Sequence, residues 1–338
     1  MHKTPQIRCL LTPLAFIVFI APAASGQVAS SPGILSTDKR EQPFRNWSEA
    51  KSVDPDGSLK VNTAVQDGCP IESPDGHHLY IASDRPGGKG GLDIWVSYRQ
   101  SPNHPWGEPV NLPEPVNSAS NDFCPTPLTG GRLLFVSNRA SECGGGSDIF
   151  ETRLHPAQGW LAPKNLGCEI NSAGNEFSPS LVETGDKTLL FFSSDRQGNQ
   201  DIYMSTQRPN GSWEPAAAVQ DLNTSFDDAR PNVSSDGLEI VFDSTRATGA
   251  PDIWTSWRPH IAARWYEPVK LGTEVNSIAT ESRASLSRDG KRLYFGSTRA
   301  GGQGSSDVHV ATRTRRRTQS DYGNAPEEAP QSPSVVPE

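Results

Sequence analysis

Helical periodicity is missing from this chain. From about residue 46 to residue 312 no stretch repeats apolar residues at the three-to-four spacing of a buried helix face, which excludes a helical bundle and a coiled coil. Apolar residues are scarce overall, at 34% of 338 residues, yet eight tryptophans argue against global disorder. Positive charge is also short. Lys and Arg number 31 against 39 acids, a net charge of −8, so no basic field exists to recruit nucleic acid. Only Arg315-Arg316-Arg317 is locally basic, and it reads as part of a solvated tail. There is no C-x-x-C, no G-x-S-x-G and no H-E-x-x-H, which leaves zinc-ribbon, thioredoxin-type, serine-hydrolase and zincin chemistry without a motif.

Turn residues, by contrast, are plentiful: 30 glycines and 29 prolines, the punctuation of many short elements. The chain opens with Lys3 and Arg8, an apolar run from Cys9 to Ala21, and the small residues Ala24-Ser25-Gly26. That is the pattern of a secretory signal peptide over residues 1–26, too short to be a comfortable membrane span. No other run could span a bilayer, so the mature chain is expected to be exported, periplasmic or secreted. Export removes Cys9 and leaves Cys69, Cys124, Cys143 and Cys168, an even number that an oxidising compartment would let pair.

A repeat of about 53 residues governs the body. Ser-x-Arg follows an apolar run five times, with its arginine at Arg85, Arg139, Arg196, Arg246 and Arg299. An aspartate followed by a β-branched residue recurs at Asp93, Asp148, Asp201, Asp252 and Asp307. Tryptophan recurs at Trp47, Trp106, Trp160, Trp213 and Trp265, and an acid shortly before Pro or Ala at Asp67, Asp122, Glu176, Asp228 and Glu281. Short apolar runs such as Leu133-Leu134-Phe135-Val136 have the length and composition of buried strands, with turns such as Asp75-Gly76 just upstream. Each unit therefore predicts four short antiparallel strands, beginning at the acid, ending in Ser-x-Arg, starting at the Asp-Ile pair, and starting at the Trp.

Five such units predict an all-β, five-bladed β-propeller of four-stranded antiparallel blades. The last unit lacks its Trp strand, and the spare one sits at Trp47, so the ring is expected to close through an N-terminal strand. The expected boundaries are a signal peptide over 1–26, a disordered linker over 27–45, the propeller over 46–312 and a disordered tail over 313–338.

The blocks SPDGHHLYIASDRPGGKGGLDIW and SRDGKRLYFGSTRAGGQGSSDVHV resemble the WD40-like repeat, also called PD40, of TolB-type proteins. The resemblance runs over all five units and implies the propeller; it does not transfer a role. Units two and three depart from its S-P-D-G turn, at Thr129-Gly130-Gly131 and Glu183-Thr184-Gly185-Asp186.

Candidate chemistry follows from the repeat. Asp67, Asp122, Glu176, Asp228 and Glu281 would stand around one mouth of the channel, where hard oxygen ligands could hold Ca²⁺ or a cationic or hydroxyl-rich ligand. The competing reading makes each acid an acceptor for backbone N–H groups of its own blade. Arg85 with Asp93, and likewise Arg139 with Asp148, Arg196 with Asp201, Arg246 with Asp252 and Arg299 with Asp307, could pair across their hairpins. The five tryptophans are expected to pack between blades. Cys143 and Cys168 fall on connections at the same end of a blade and are expected to form a disulfide. Cys69 and Cys124 occupy equivalent positions in neighbouring blades and could form the second.

The expected function is a binding module for an envelope or extracellular protein or polysaccharide, engaged through one mouth of the channel. The alternative is a carbohydrate-active enzyme with paired carboxylates at that mouth. Acids that follow the repeat favour binding, because catalytic acids have unlike roles and should break it.

Overall fold

The computed structural model describes residue 44, residues 46–55, residue 57 and residues 60–315. The expected signal segment, the linker apart from Phe44, and the tail beyond Arg315 lie outside the described residues.

Among the described residues, twenty-one strands form five antiparallel sheets and there is no α-helix. Blade one runs Asp67–Glu72, His78–Ser83, Asp93–Tyr98 and Val110–Asn111 from the axis outward. Blade two comprises Asp122–Pro127, Arg132–Ser137, Asp148–His155 and Lys164–Asn165, with Gly159–Trp160 pairing onto the extended third strand. Blade three is Glu176–Thr184, Lys187–Ser194, Asp201–Thr206 and Ala217–Ala218; blade four is Asp228–Val233, Glu239–Ser244, Asp252–Trp257 and Val269–Lys270. Blade five takes Glu281–Leu286, Arg292–Ser297 and Asp307–Thr312 from the end of the body and Lys51–Ser52 from its start.

That last pairing closes the ring as the sequence predicts. Lys51 lies opposite Val310 and Ser52 opposite His309. The innermost strands touch in cyclic order, that of blade five against that of blade one. Each tryptophan stands four residues before its outer strand rather than on it. Trp47, Trp106, Trp213 and Trp265 are buried, and Trp160 is partly so.

The second strand of every blade is apolar because neighbouring blades cover both of its faces. Leu133 to Val136, Leu190 to Phe192, Ile240 to Phe242 and Leu293 to Phe295 are all at most 1% exposed. The core divides accordingly into clusters at the junctions between blades, such as Ile94, Leu112, Val116, Leu133, Phe135 and Phe150 between blades one and two. Each such side chain contributes about 1.5–3 kcal/mol on burial. Turns between first and second strands are tied locally: the Asp75 carboxylate accepts from Ser73 Oγ at 2.5 Å and from the His77 amide at 3.0 Å, and Gly76 takes φ 76°.

Candidate binding site in the central channel

The five acids of the repeat open the innermost strands, and all are fully buried. Each is folded back into its own blade. Asp67 accepts from the Thr63 amide at 2.6 Å and its hydroxyl at 2.8 Å, and pairs with Arg85 at 2.6 Å. Asp122 does the same with Ser118 and with Arg139 at 2.6 Å. Glu176 takes Ser172 and Arg196, at 3.0 Å, and Glu281 takes Ser277 and Arg299, at 3.1 Å. Asp228 takes Thr224 and Arg246. The acids are thus separated one to a blade rather than brought together. Among the described residues no three His, Cys, Asp or Glu side chains are grouped to hold a metal.

The Ser-x-Arg arginines therefore pair with these acids and not with the third-strand aspartates. Register is the reason: Asp67 lies opposite Ser83 in the first hairpin, which brings Arg85, two residues on, over the acid. The guanidinium is also held over an aromatic ring, Arg85 above Trp95 at 5.3 Å and Arg196 above Tyr203 at 4.6 Å. The third-strand aspartates have other work. Asp93 and Asp307 accept loop amides, from Gly90 at 3.1 Å and Gln303 at 2.6 Å respectively. Asp148 and Asp252 tie down the outer strands through Asn165 at 2.8 Å and Lys270 at 2.7 Å, and Asp201 takes a long bond from Asn199 at 3.4 Å.

Two further repeated sets emerge. An asparagine five residues before each acid, at Asn62, Asn117, Asn171, Asn223 and Asn276, accepts the amide of the residue after the third-strand aspartate, for example from Ile94 at 2.9 Å. The signal was in the sequence as Val/Ile/Leu-Asn-Ser/Thr-x-x-x-Asp/Glu, five times over. A second arginine set follows the third strands: Arg99, Arg258 and Arg313 stack on Trp106, Trp265 and Trp47 at 4.0, 4.3 and 4.2 Å. Arg99 pairs with Glu72 and Arg313 with Glu239, both at 2.6 Å. Among the described residues Arg258 has no acidic partner; its buried Nη2 lacks a hydrogen bond, and burial lowers its pKa to about 10.

Two residues after each acid the channel wall changes character. Cys69, Cys124, Ser178, Arg230 and Arg283 hold φ between 45° and 58°, the left-handed region, each at a bulge in the pairing of the first two strands. Backbone conformation repeats here while side chains do not. Cys69 and Cys124 are joined as a disulfide across blades one and two, and Cys143 with Cys168 forms the second, both as expected. Ser178 Oγ donates to Cys124 Sγ at 3.4 Å. On the other side Arg230 Nη1 donates to Asp243, whose carboxylate also accepts the Arg283 amide at 2.9 Å. Burial raises the Asp243 pKa, with Arg230 opposing. Burial, then the charge of Arg230, lowers that of Arg283 to about 10. These five bulge residues line an axial space with about 30 Å³ of room for water. A larger recess of about 170 Å³ opens at the far end of the innermost strands from the acids. All five blades line it, and it shares Ile71, Thr126 and Asn232 with the axial space.

No protein-family model matches the chain, and no curated protein matches it in sequence. Solved structures match its fold. An α-L-arabinofuranosidase from Podospora anserina, in complex with cellotriose, is 12% identical over 81% of this chain and 98% of its own, with a TM-score of 0.52. The catalytic domain of the Coprinopsis cinerea GH62 α-L-arabinofuranosidase is 12% identical over 80% of this chain and 98% of its own, at 0.53. TolB from Acinetobacter baumannii is 16% identical over 72% of this chain and 53% of its own, at 0.42. At these identities the likeness is one of fold.

Proposed function

We propose that this propeller is an exported binding module that takes an envelope or extracellular protein or polymer at the recess formed by the ends of its innermost strands. The observation that carries the reading is the recess itself, lined from all five blades by unlike side chains, among them Glu72, Leu128, Val182, Ser235 and Arg288. Recognition surfaces need such variety, whereas the acid ring repeats one construction five times. Export agrees with two disulfides and with the absence, among the described residues, of any helix long and apolar enough to cross a membrane.

Hydrolysis of a glycosidic bond needs two carboxyl groups free to act as acid and as base or nucleophile. The carboxylates of this recess are committed elsewhere. Glu72 is held by Arg99, Arg292 and the Tyr294 hydroxyl, and Glu183 by Arg132 at 2.6 Å. The test is a photo-crosslinking residue placed at exposed Thr129, on the rim of the recess, with a second at Leu154 as control. The binding reading expects an envelope protein or polymer to crosslink at Thr129 and not at Leu154. Turnover of an aryl arabinofuranoside by the purified chain, lost in Glu183→Gln, would replace it with the enzyme reading.

A further inference from the structure

We propose that the axial channel holds a carboxylate-binding site made by the paired guanidinium groups of Arg230 and Arg283. It deepens the channel reading above and rests on it only for the route by which the ligand arrives.

Charge is the first observation. Two guanidinium groups and one carboxylate, Asp243, meet on the walls of blades four and five. Asp243 is shared between the side chain of Arg230 and the backbone amide of Arg283. Among the described residues the Arg283 side chain has no ion pair, and its buried Nε has no hydrogen-bond partner. The acids of the same two blades are already committed, Asp228 to Arg246 and Glu281 to Arg299. One carboxylate, Asp243, is thus left to offset two partly buried guanidinium groups.

Space is the second. Arg283 reaches across the blade boundary to Gly68, where a Cβ would stand only 3.2 Å from its Nη1. The four other blades carry Phe123, Phe177, Ala229 and Ser282 at that position. Blade one alone carries glycine, and its backbone φ there is not in the left-handed region that would otherwise call for one. The glycine makes room for the guanidinium.

Size and shape choose the ligand. About 30 Å³ of room is twice to three times what a single water needs, which admits a carboxylate group and excludes a sugar ring. A guanidinium binds a carboxylate through two parallel N–H···O bonds in one plane. The shared lining of the axial space and the recess gives a carboxylate a path from the mouth to the arginines. It could belong to a free small acid or to the end of a longer chain.

Acetate titrated calorimetrically into the purified chain, at ionic strength held constant with chloride, tests the site. Saturable binding is expected, weakened tenfold or more in Arg283→Gln and in Arg230→Gln, with acetamide inert. No saturable acetate binding, or equal binding by wild type and both variants, would overturn the proposal. Should either variant fail to fold, acetate against acetamide on the wild-type chain still decides. A hexaglycine ending in a free carboxylate and its C-terminal amide separate the two sources. Tighter binding of the acid than of acetate assigns the ligand to a chain end; no gain assigns it to a free acid. Because no partner is needed, the site can fail while crosslinking at Thr129 succeeds, and the reverse.

Discussion

Two rings of residues circle the channel two positions apart on the same five strands, and they are built on opposite plans. The acid ring repeats its chemistry: a buried carboxylate, a Ser or Thr four residues before it, and an arginine two residues past the end of the next strand, in every blade. The bulge ring repeats only its backbone, with φ from 45° to 58°, and places a disulfide, a serine and two arginines on it. A residue that serves the repeat must be the same in each copy, because each copy has the same problem to solve. A residue that serves one site has no such constraint. The contrast separates what holds the propeller together from what it presents to a ligand.

Removing a carboxylate from the first ring should break the contrast most severely. Asp67→Ala strands Arg85, only 8% exposed, together with the Thr63 amide and hydroxyl. Breaking a buried pair by removing one partner costs about 3–5 kcal/mol. Urea unfolding should show a loss of that size, partly restored in Asp67→Ala/Arg85→Met, where no charge is left behind. A loss below about 1 kcal/mol would mean that the first ring is not structural.

The second ring should answer differently. Arg283→Gln removes a charge that the protein leaves poorly compensated, and the longer amide keeps the φ preference of a non-glycine residue. In chloride buffer without added carboxylate its unfolding free energy should stay within about 1 kcal/mol of wild type or rise. A loss matching that of Asp67→Ala would make Arg283 one more strut of the fold and erase the difference between the rings.

Much of this was legible in the sequence, and the limits have physical causes. Four repeated sets sufficed for the blade count, the strands and the closure through Lys51–Ser52, because burial between blades demands the same apolar run in every unit. The arginine pairing is not legible from chain proximity: Arg85 and Asp93 are close along the chain, whereas hairpin register brings Asp67 beneath the guanidinium. The bulge ring carries no repeated side chain, so the periodicity does not mark it. Asp243 stands where the other blades have Ala82, Val136, Ser193 and Gly296, and Arg230 and Arg283 where they have Cys69, Cys124 and Ser178. The arginine pair and its carboxylate are legible together as exceptions to the repeat.

The smallest expected effect comes from a departure inside the structural layer itself. The third residue of each third strand is Trp95, Phe150, Tyr203 or Trp254, and in blade five it is His309, 7% exposed and stacked on Phe295 at 6.0 Å. Burial lowers its pKa below 6.5, Arg299 adds to the effect, and Asp307 and Glu281 oppose it. Between the folded value and 6.5 the unfolded chain binds a proton that the folded chain refuses, so stability falls as pH drops through that window and levels off below it. His309→Phe copies blade two, keeps the stack and removes the titration. Its melting temperature should fall less than that of the wild type between pH 7 and pH 5, while the two agree in slope above pH 7. Parallel curves throughout would show that His309 takes up its proton without disturbing the blade, and that even this exception to the repeat is absorbed by the structural layer.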